Sequence, residues 1–171
     1  GLGDFAHTML ILFAVQSLTP GLGAVTAASL GAGLYLLHNL LYAAFAMLAG
    51  WLADHFDKRR VLATGYLLAA VMGVAIVALP PNLWTLTLVF ALGGVYVAIE
   101  ETLEDSLCAE LVPPSQHGMA FGTLATVNGI GDFASSIVVG LLWTTLGTSA
   151  AFGYSAALAA CGAALVLRVK G

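Results

Sequence analysis

The chain has 171 residues, of which 60% are hydrophobic and only 8% are charged, and its mean hydropathy is +0.99. Soluble domains carry about 25% charged residues, so this sequence has too few polar side chains to cover a surface in water. The formal net charge is −4, and no basic patch occurs apart from one short stretch, so no nucleic-acid partner is expected. The composition predicts an all-α polytopic membrane protein whose main contact is membrane lipid.

Six apolar runs, separated by Pro, Gly and charged residues, predict six membrane-spanning helices in a single bundle over residues 1–171. A bilayer core of about 30 Å requires roughly 20 helical residues, and the runs are close to that length or longer. The predicted spans cover approximately residues 4–19, 24–53, 61–79, 83–111, 117–146 and 149–168.

Basic residues lie at only one end of the predicted bundle. All five Lys and Arg fall in the 54–60 loop or near the C-terminus, on the same side as the 112–117 loop, and the loops at 20–23, 80–82 and 147–148 hold none. Cytoplasmic loops of membrane proteins carry the excess of Lys and Arg. We therefore expect a multi-pass protein of the inner (plasma) membrane with both termini in the cytoplasm.

The second and fifth spans share a spacing in which a Gly is followed six positions later by an Asn. The pairs are Gly33 with Asn39 and Gly122 with Asn128. This similarity predicts two inverted three-helix repeats, residues 1–80 and 83–171, a common arrangement in secondary transporters. Small residues also recur at every fourth position, at 118 and 122 and at 156, 160 and 164, which predicts stripes along which helices pack closely.

The most informative stretch is the charged loop after the second span. It contains, in order, Gly50, Leu52, Ala53, Asp54, Lys58, Arg59 and Arg60. This order resembles the loop motif between the second and third helices of a half of the major facilitator superfamily, with Asp57 in place of the motif's second Gly. The passage from Ala109 to Gly122 resembles the segment before the fifth helix of such halves, with His117 where an Arg is usual. The chain is therefore similar to one six-helix half, and most similar to the C-terminal half.

The resemblance implies secondary active transport of a small solute by alternating access of two six-helix bundles. It also implies a partner, a second six-helix half, which would be either a homodimeric copy or a missing N-terminal half. The alternative is a non-transporting membrane fragment or scaffold that packs with another half. No His-Glu-x-x-His or Gly-x-Ser-x-Gly motif occurs, so we do not expect an enzyme. No cofactor and no metal site is predicted.

Four carboxylates crowd the end of the fourth span, where Glu100 and Glu104, and Glu101 and Asp105, are each four residues apart. Like charges this close favour protonation of at least one of them, which suits proton-coupled transport. Glu100 and Glu101, with Asp132 of the fifth span, are the candidates for proton or cation coupling.

A second interpretation assigns some of these carboxylates to a latch. In the resembling family, acidic and basic groups at this level form an inter-helix latch on the cytoplasmic side, and the residue matching Asp54 faces the N-terminus of the fifth helix. The latch set is Asp54, Lys58, Arg59, Arg60, Glu104 and Asp105. Simple solvation at the membrane interface is the third interpretation.

Other polar residues lie nearer the middle of the membrane. The candidates for the substrate pathway are Gln16, His38, Asn39 and Asn128. Plain hydrogen bonds between helices are the alternative interpretation for His38, Asn39, Asn128 and Asp132, because polar groups in lipid require partners.

Overall fold

The computed structural model describes residues 7–168, and six α-helices make up most of that range. They are α1 (His7–Leu22), α2 (Ala24–His55), α3 (Lys58–Ala78), α4 (Leu83–Leu111), α5 (His117–Leu146) and α6 (Thr148–Arg168), with a 3-10 turn at Pro114–Gln116. Helices α2 to α6 are each long and apolar enough to cross a membrane, and the described part of α1 has 16 residues. The prediction of an all-α, polytopic protein is confirmed. Residues 4–6, where the first span was expected to begin, lie outside the described residues.

Helix α3 begins at Lys58, three residues before the predicted start of the third span. The cause is Asp57, whose carboxylate accepts hydrogen bonds from the backbone N–H groups of Arg59 at 2.9 Å and Arg60 at 3.3 Å. An Asp at this position satisfies N–H groups that have no partner inside the helix. The basic cluster, which consists of Lys58, Arg59 and Arg60, therefore forms the first turn of α3. The connection to α2 consists of Phe56 and Asp57.

Helix α1 runs through Pro20 to Leu22, although the prediction ended it at Thr19. Proline removes one backbone donor, but Pro20 lies in the last turn, where the loss of one hydrogen bond is tolerated. The chain reverses instead at Gly23, whose φ of 77° is a left-handed conformation that glycine adopts without strain. The Gly23 N–H closes the helix by donating to the Thr19 carbonyl at 2.9 Å.

Helix α4 is the central element of the bundle. Eleven of its residues are buried, and it packs against α2 on one side and α3 on the other, while α3 also packs closely against α6. Aromatic rings of α1 and α6 add to the core, with the ring centroids of Phe13 and Phe152 5.2 Å apart. By contrast, α5 buries only Ser135 and Val139 among its described residues. It packs against α6 and more sparsely against α4.

Small residues pack α6 against α3, but along a different stripe from the predicted one. Ala156, Ala159 and Ala163 are buried, whereas the residues at 160 and 164 are exposed. The approach is closest at Gly73, where an added Cβ would lie 2.7 Å from the Cβ of Ala156. At Gly118 and Gly122, an added Cβ would meet nothing within 4 Å, so that stripe packs against none of the described helices.

One end of the bundle carries the α2–α3 connection, residues 112–116 and Arg168, and we call it the basic end. The connections at Gly23, at residues 79–82 and at Gly147 lie at the opposite end. Lys170, the fifth basic residue, lies outside the described residues. The relation of residues 1–80 to residues 83–171 as inverted repeats stays a prediction.

Candidate functional site

Three polar contacts join α4 to its neighbours in the half of the bundle nearer the basic end. The Tyr42 hydroxyl of α2 donates to Glu101 Oε2 at 2.6 Å. The Tyr66 hydroxyl of α3 donates to Glu104 Oε1 at 2.9 Å, and Asn128 Nδ2 of α5 donates to Glu104 Oε2 at 2.6 Å. Glu101 thus accepts a neutral donor from α2, and Glu104 accepts one from α3 and one from α5. Buried polar groups in a membrane protein need such partners, and these contacts link four helices into one network.

The four carboxylates that were predicted to crowd together have different surroundings in the structure. Glu100 is buried, with 6% of its surface exposed, while Glu101 and Asp105 are exposed. Glu101, Glu104, Asp105 and Asn128 line a cavity of about 220 Å³ between α4 and α5. The structure therefore brings three of the four predicted carboxylates to one cavity and leaves Glu100 in the protein interior.

The basic cluster makes its described ion pair with a carboxylate outside the predicted latch set. Lys58 Nζ lies 2.5 Å from Glu110 Oε1 and donates to the Ser106 hydroxyl at 2.7 Å. Glu110 therefore pairs with Lys58, while Glu104 accepts from Tyr66 and Asn128. The pairing of Arg59 and Arg60 with Glu104 or Asp105 stays a prediction.

The other members of the predicted latch lie around this ion pair. Arg59 and Asp57 line a cavity of about 490 Å³ together with Lys58 and Glu110. Arg60 is exposed on the first turn of α3. Asp54 is exposed on the last turn of α2, and its proposed alignment with the N-terminus of α5 stays a prediction.

His38 lies in the contact between α2 and α4. Its side chain is 4% exposed and its ring stacks on Tyr35, with centroids 5.9 Å apart. On the α4 side, a Cβ at Gly93 would lie 3.1 Å from His38 Nδ1, and one at Gly94 would overlap the His38 carbonyl. This close approach packs His38 between the two helices, and its place in the substrate pathway stays a prediction.

The remaining candidates are spread over different surfaces. Asn39 is exposed and its amide donates to the Tyr35 carbonyl of its own helix at 2.7 Å. Gln16 is exposed on α1, and Asp132 is half-buried on α5 one turn beyond Asn128. Of the four pathway candidates, only Asn128 joins the network around α4 in a described contact.

Sequence reasoning missed Tyr42 and Tyr66, which supply two of the three donors in the network. A signal was present, because a tyrosine in an apolar helix has a hydroxyl that requires a partner. It also missed Gly93 and Gly94, whose adjacency inside a long helix is the signal for a close approach of another helix.

The sequence profile of the Major Facilitator Superfamily matches residues 2–170, nearly the whole chain. The chain belongs to the Major Facilitator Superfamily. The resemblance stated from the loop motif is thereby confirmed. Members of this superfamily are in general not enzymes, and the match supports a multi-pass membrane protein.

Several curated relatives carry transporter names. An uncharacterised MFS-type transporter of Methanocaldococcus jannaschii is 28% identical over 134 residues, which is 78% of this chain and 33% of that protein. An MFS-type transporter of Metarhizium rileyi is 32% identical over 121 residues, 71% of this chain and 25% of that protein. A puromycin resistance protein of Streptomyces alboniger is 34% identical over 109 residues, 61% of this chain and 21% of that protein.

The aligned part of the chain thus spans one third or less of the length of each of these relatives. No solved structure matches the chain.

Proposed function

We propose that the chain forms one six-helix half of a secondary active transporter that moves a small solute across the inner membrane. Two such bundles would rock about a site near the membrane midplane and expose it to each side in turn. The observation that carries the proposal is the row of carboxylates on α4, where Glu100 is only 6% exposed. Ionisable groups within membrane-spanning helices are costly and are kept where ions or substrates are handled.

Proton coupling is the second part of the proposal. Glu100 and Glu101 would carry the proton, and Asp132 on α5 would take part in its transfer. The contact of Tyr42 with Glu101 supports this role, because a hydrogen bond to an ionised carboxylate is stronger than one to a neutral acid. Protonation of Glu101 would therefore weaken its hydrogen bond with Tyr42, which joins α2 to α4. Proton binding would thus be coupled to helix movement.

The partner half would contact α2 and α5, whose surfaces are the least buried of the membrane-spanning helices. Large apolar side chains on these two helices are exposed, including Met47 at 84% and Phe133 at 70%. Lipid can cover such a face, and a second six-helix bundle can cover it equally well. A homodimeric copy and a separate half both satisfy this requirement. The positions of the basic residues support a cytoplasmic location for the basic end and both termini.

Flux measurements in liposomes test the proposal. The purified chain is reconstituted and solute uptake is driven by an imposed pH gradient, with puromycin as the first solute because a relative is named for resistance to it. We expect Glu101→Gln to abolish the pH dependence of flux, because the amide cannot take up a proton. Glu101→Asp keeps a titratable carboxyl and should preserve the pH dependence. If the Gln variant keeps the wild-type pH profile, Glu101 does not carry the proton.

The alternative is a fragment or scaffold that packs with another half and transports nothing by itself. Oligomeric mass in detergent distinguishes the two functions. A strictly monomeric chain that shows no flux with any solute favours the fragment, whereas flux from a dimer favours a stand-alone half-transporter.

A further inference from the structure

A cleft of about 620 Å³ lies at the basic end between α3, α4, α5 and α6. Its walls are largely apolar and include Leu62, Leu107, Met119, Leu124 and Val166. Small-molecule sites commonly have volumes of about 300–1,000 Å³ and apolar walls with a few polar groups. The cleft has these properties, and it results from the sparse packing of α5 against α4.

Glu104 is the only charged side chain among the described residues that line this cleft. Its described hydrogen bonds come from neutral donors, the Tyr66 hydroxyl and the Asn128 amide. The cavity of about 220 Å³ on its other side adds Glu101 and Asp105, and its described lining contains no Lys, Arg or His. The charge at this end of the cleft is therefore negative and has no cation to balance it within either lining.

The described ion pair of the chain lies outside both linings. Lys58 is held by Glu110 and Ser106 in the neighbouring cavity of about 490 Å³. A lipid acyl chain would satisfy the apolar walls of the cleft but would leave the charge of Glu104 uncompensated. An organic anion would be repelled by three carboxylates. Charge complementarity thus selects a ligand with an apolar body and a positive charge.

We propose that the cleft between α3, α4, α5 and α6 binds amphiphilic organic cations, with the apolar body between Leu62, Met119 and Leu124 and the positive charge beside Glu104. This site goes beyond the proposed function, because binding requires neither transport nor a second bundle. It also involves α3 and α6, helices that carry none of the pathway candidates.

Cys108 lines the cleft and Cys161 does not, which provides a direct measurement of occupancy. The chain contains only these two cysteines, so Cys161→Ser leaves Cys108 as the single thiol. The full chain is placed in lipid nanodiscs and the rate of maleimide labelling of Cys108 is followed. We expect tetraphenylphosphonium to slow labelling in a saturable manner. Tetraphenylborate, which has nearly the same shape and the opposite charge, should not protect the thiol.

Two variants separate the charge from the shape of the site. Glu104→Gln should weaken tetraphenylphosphonium binding by roughly tenfold or more, because a partly buried charge pair is lost. Ala120→Phe should fill the cleft and abolish protection. Val127→Phe, at a position of the same helix that is 61% exposed and outside the lining, is the matched control and should bind as the parent chain does.

Equal protection by tetraphenylphosphonium and tetraphenylborate would overturn the proposal, as would wild-type affinity in Glu104→Gln. Slow labelling that neither ion changes would indicate a cleft already filled by lipid, which also overturns it. The Ala120→Phe and Val127→Phe pair retains Glu104, so it gives a result even where the Glu104 variant does not fold.

Discussion

The contact between Asn128 and Glu104 should contribute measurably to stability, and its sequence counterpart Asn39 should not. Asn128 reaches across from α5 to a carboxylate of α4 at 2.6 Å. Asn39, which occupies the matching place in the Gly–Asn spacing, bonds the carbonyl of Tyr35 in its own helix at 2.7 Å. The perturbation is a double-mutant cycle of Asn128→Leu and Glu104→Met, with Asn39→Leu and Glu104→Met as the matched control.

The magnitude follows from the geometry and the surroundings of the bond. Hydrogen bonds to charged groups contribute about 1.5–3 kcal/mol in soluble proteins. Inter-helix hydrogen bonds in a membrane protein average only about 0.6 kcal/mol, with a maximum near 1.7 kcal/mol. The short distance and the charged acceptor favour the upper part of the membrane range, and the half-buried position of Asn128 lowers the value. We expect a coupling energy of about 1–1.7 kcal/mol for the Asn128 cycle and none for the Asn39 cycle.

The assay is reversible unfolding in mixed micelles with increasing sodium dodecyl sulfate, followed by far-ultraviolet circular dichroism and tryptophan fluorescence. The coupling energy is the difference between the effect of the double variant and the sum of the single effects. Equal coupling energies in the two cycles would refute the reasoning. So would a coupling below about 0.3 kcal/mol for Asn128, since that lies within the ordinary error of additivity.

Two further predictions concern the helix contacts. Gly73→Ala should destabilise the chain by about 1–3 kcal/mol through overpacking, because the new methyl group would lie 2.7 Å from the Cβ of Ala156. Gly162→Ala, in the same α3–α6 contact, should be neutral or stabilising in the same unfolding assay, because its methyl group would meet Tyr66 only at 3.8 Å. An equal loss of stability in Gly73→Ala and Gly162→Ala would contradict the packing argument. Asp57→Ala should cost about 1 kcal/mol by removing the N-cap of α3, and Asp57→Ser, which restores a capping oxygen, should recover most of it.

The sequence predicted the six helices well because hydropathy and Pro or Gly punctuation decide them directly. The start of α3 was predicted three residues too late, and this difference affects the site. With the helix starting at residue 61, the basic cluster appears as a loop that can reach any nearby carboxylate. With the start at Lys58, antiparallel packing sets Lys58 level with the last turn of α4 and hence with Glu110. Glu104 lies six residues earlier, about 9 Å deeper at 1.5 Å per residue. The N-cap at Asp57 thus places Lys58 beside Glu110.

The buried stripe of α6 shows a second limit of pattern reading. A spacing of exactly four residues advances the helix by about 40° per step at 3.6 residues per turn. The stripe of residues 156, 160 and 164 therefore rotates away from α3, whereas Ala156, Ala159 and Ala163 follow the contact. Hydrogen-bond partners are even harder to predict from sequence, because they depend on the rotation of each helix about its axis. A sequence read alone could place Glu104 on α4 but could not show that it faces Tyr66 and Asn128.

Helix α5 connects the proposed binding cleft with the proposed transport. It buries few side chains, and at the basic end its described polar contacts with α4 are those of Asn128 with Glu104 and of His117 with the Ala109 carbonyl. A cation beside Glu104 would compete with Asn128 for Glu104 Oε2. The effect of ligand binding on a helix contact and the effect of that contact on ligand binding are reciprocal. A ligand that weakens the contact between α5 and α4 must therefore bind more tightly when α5 moves away from α4. The position of α5 and the occupancy of the cleft should therefore change together.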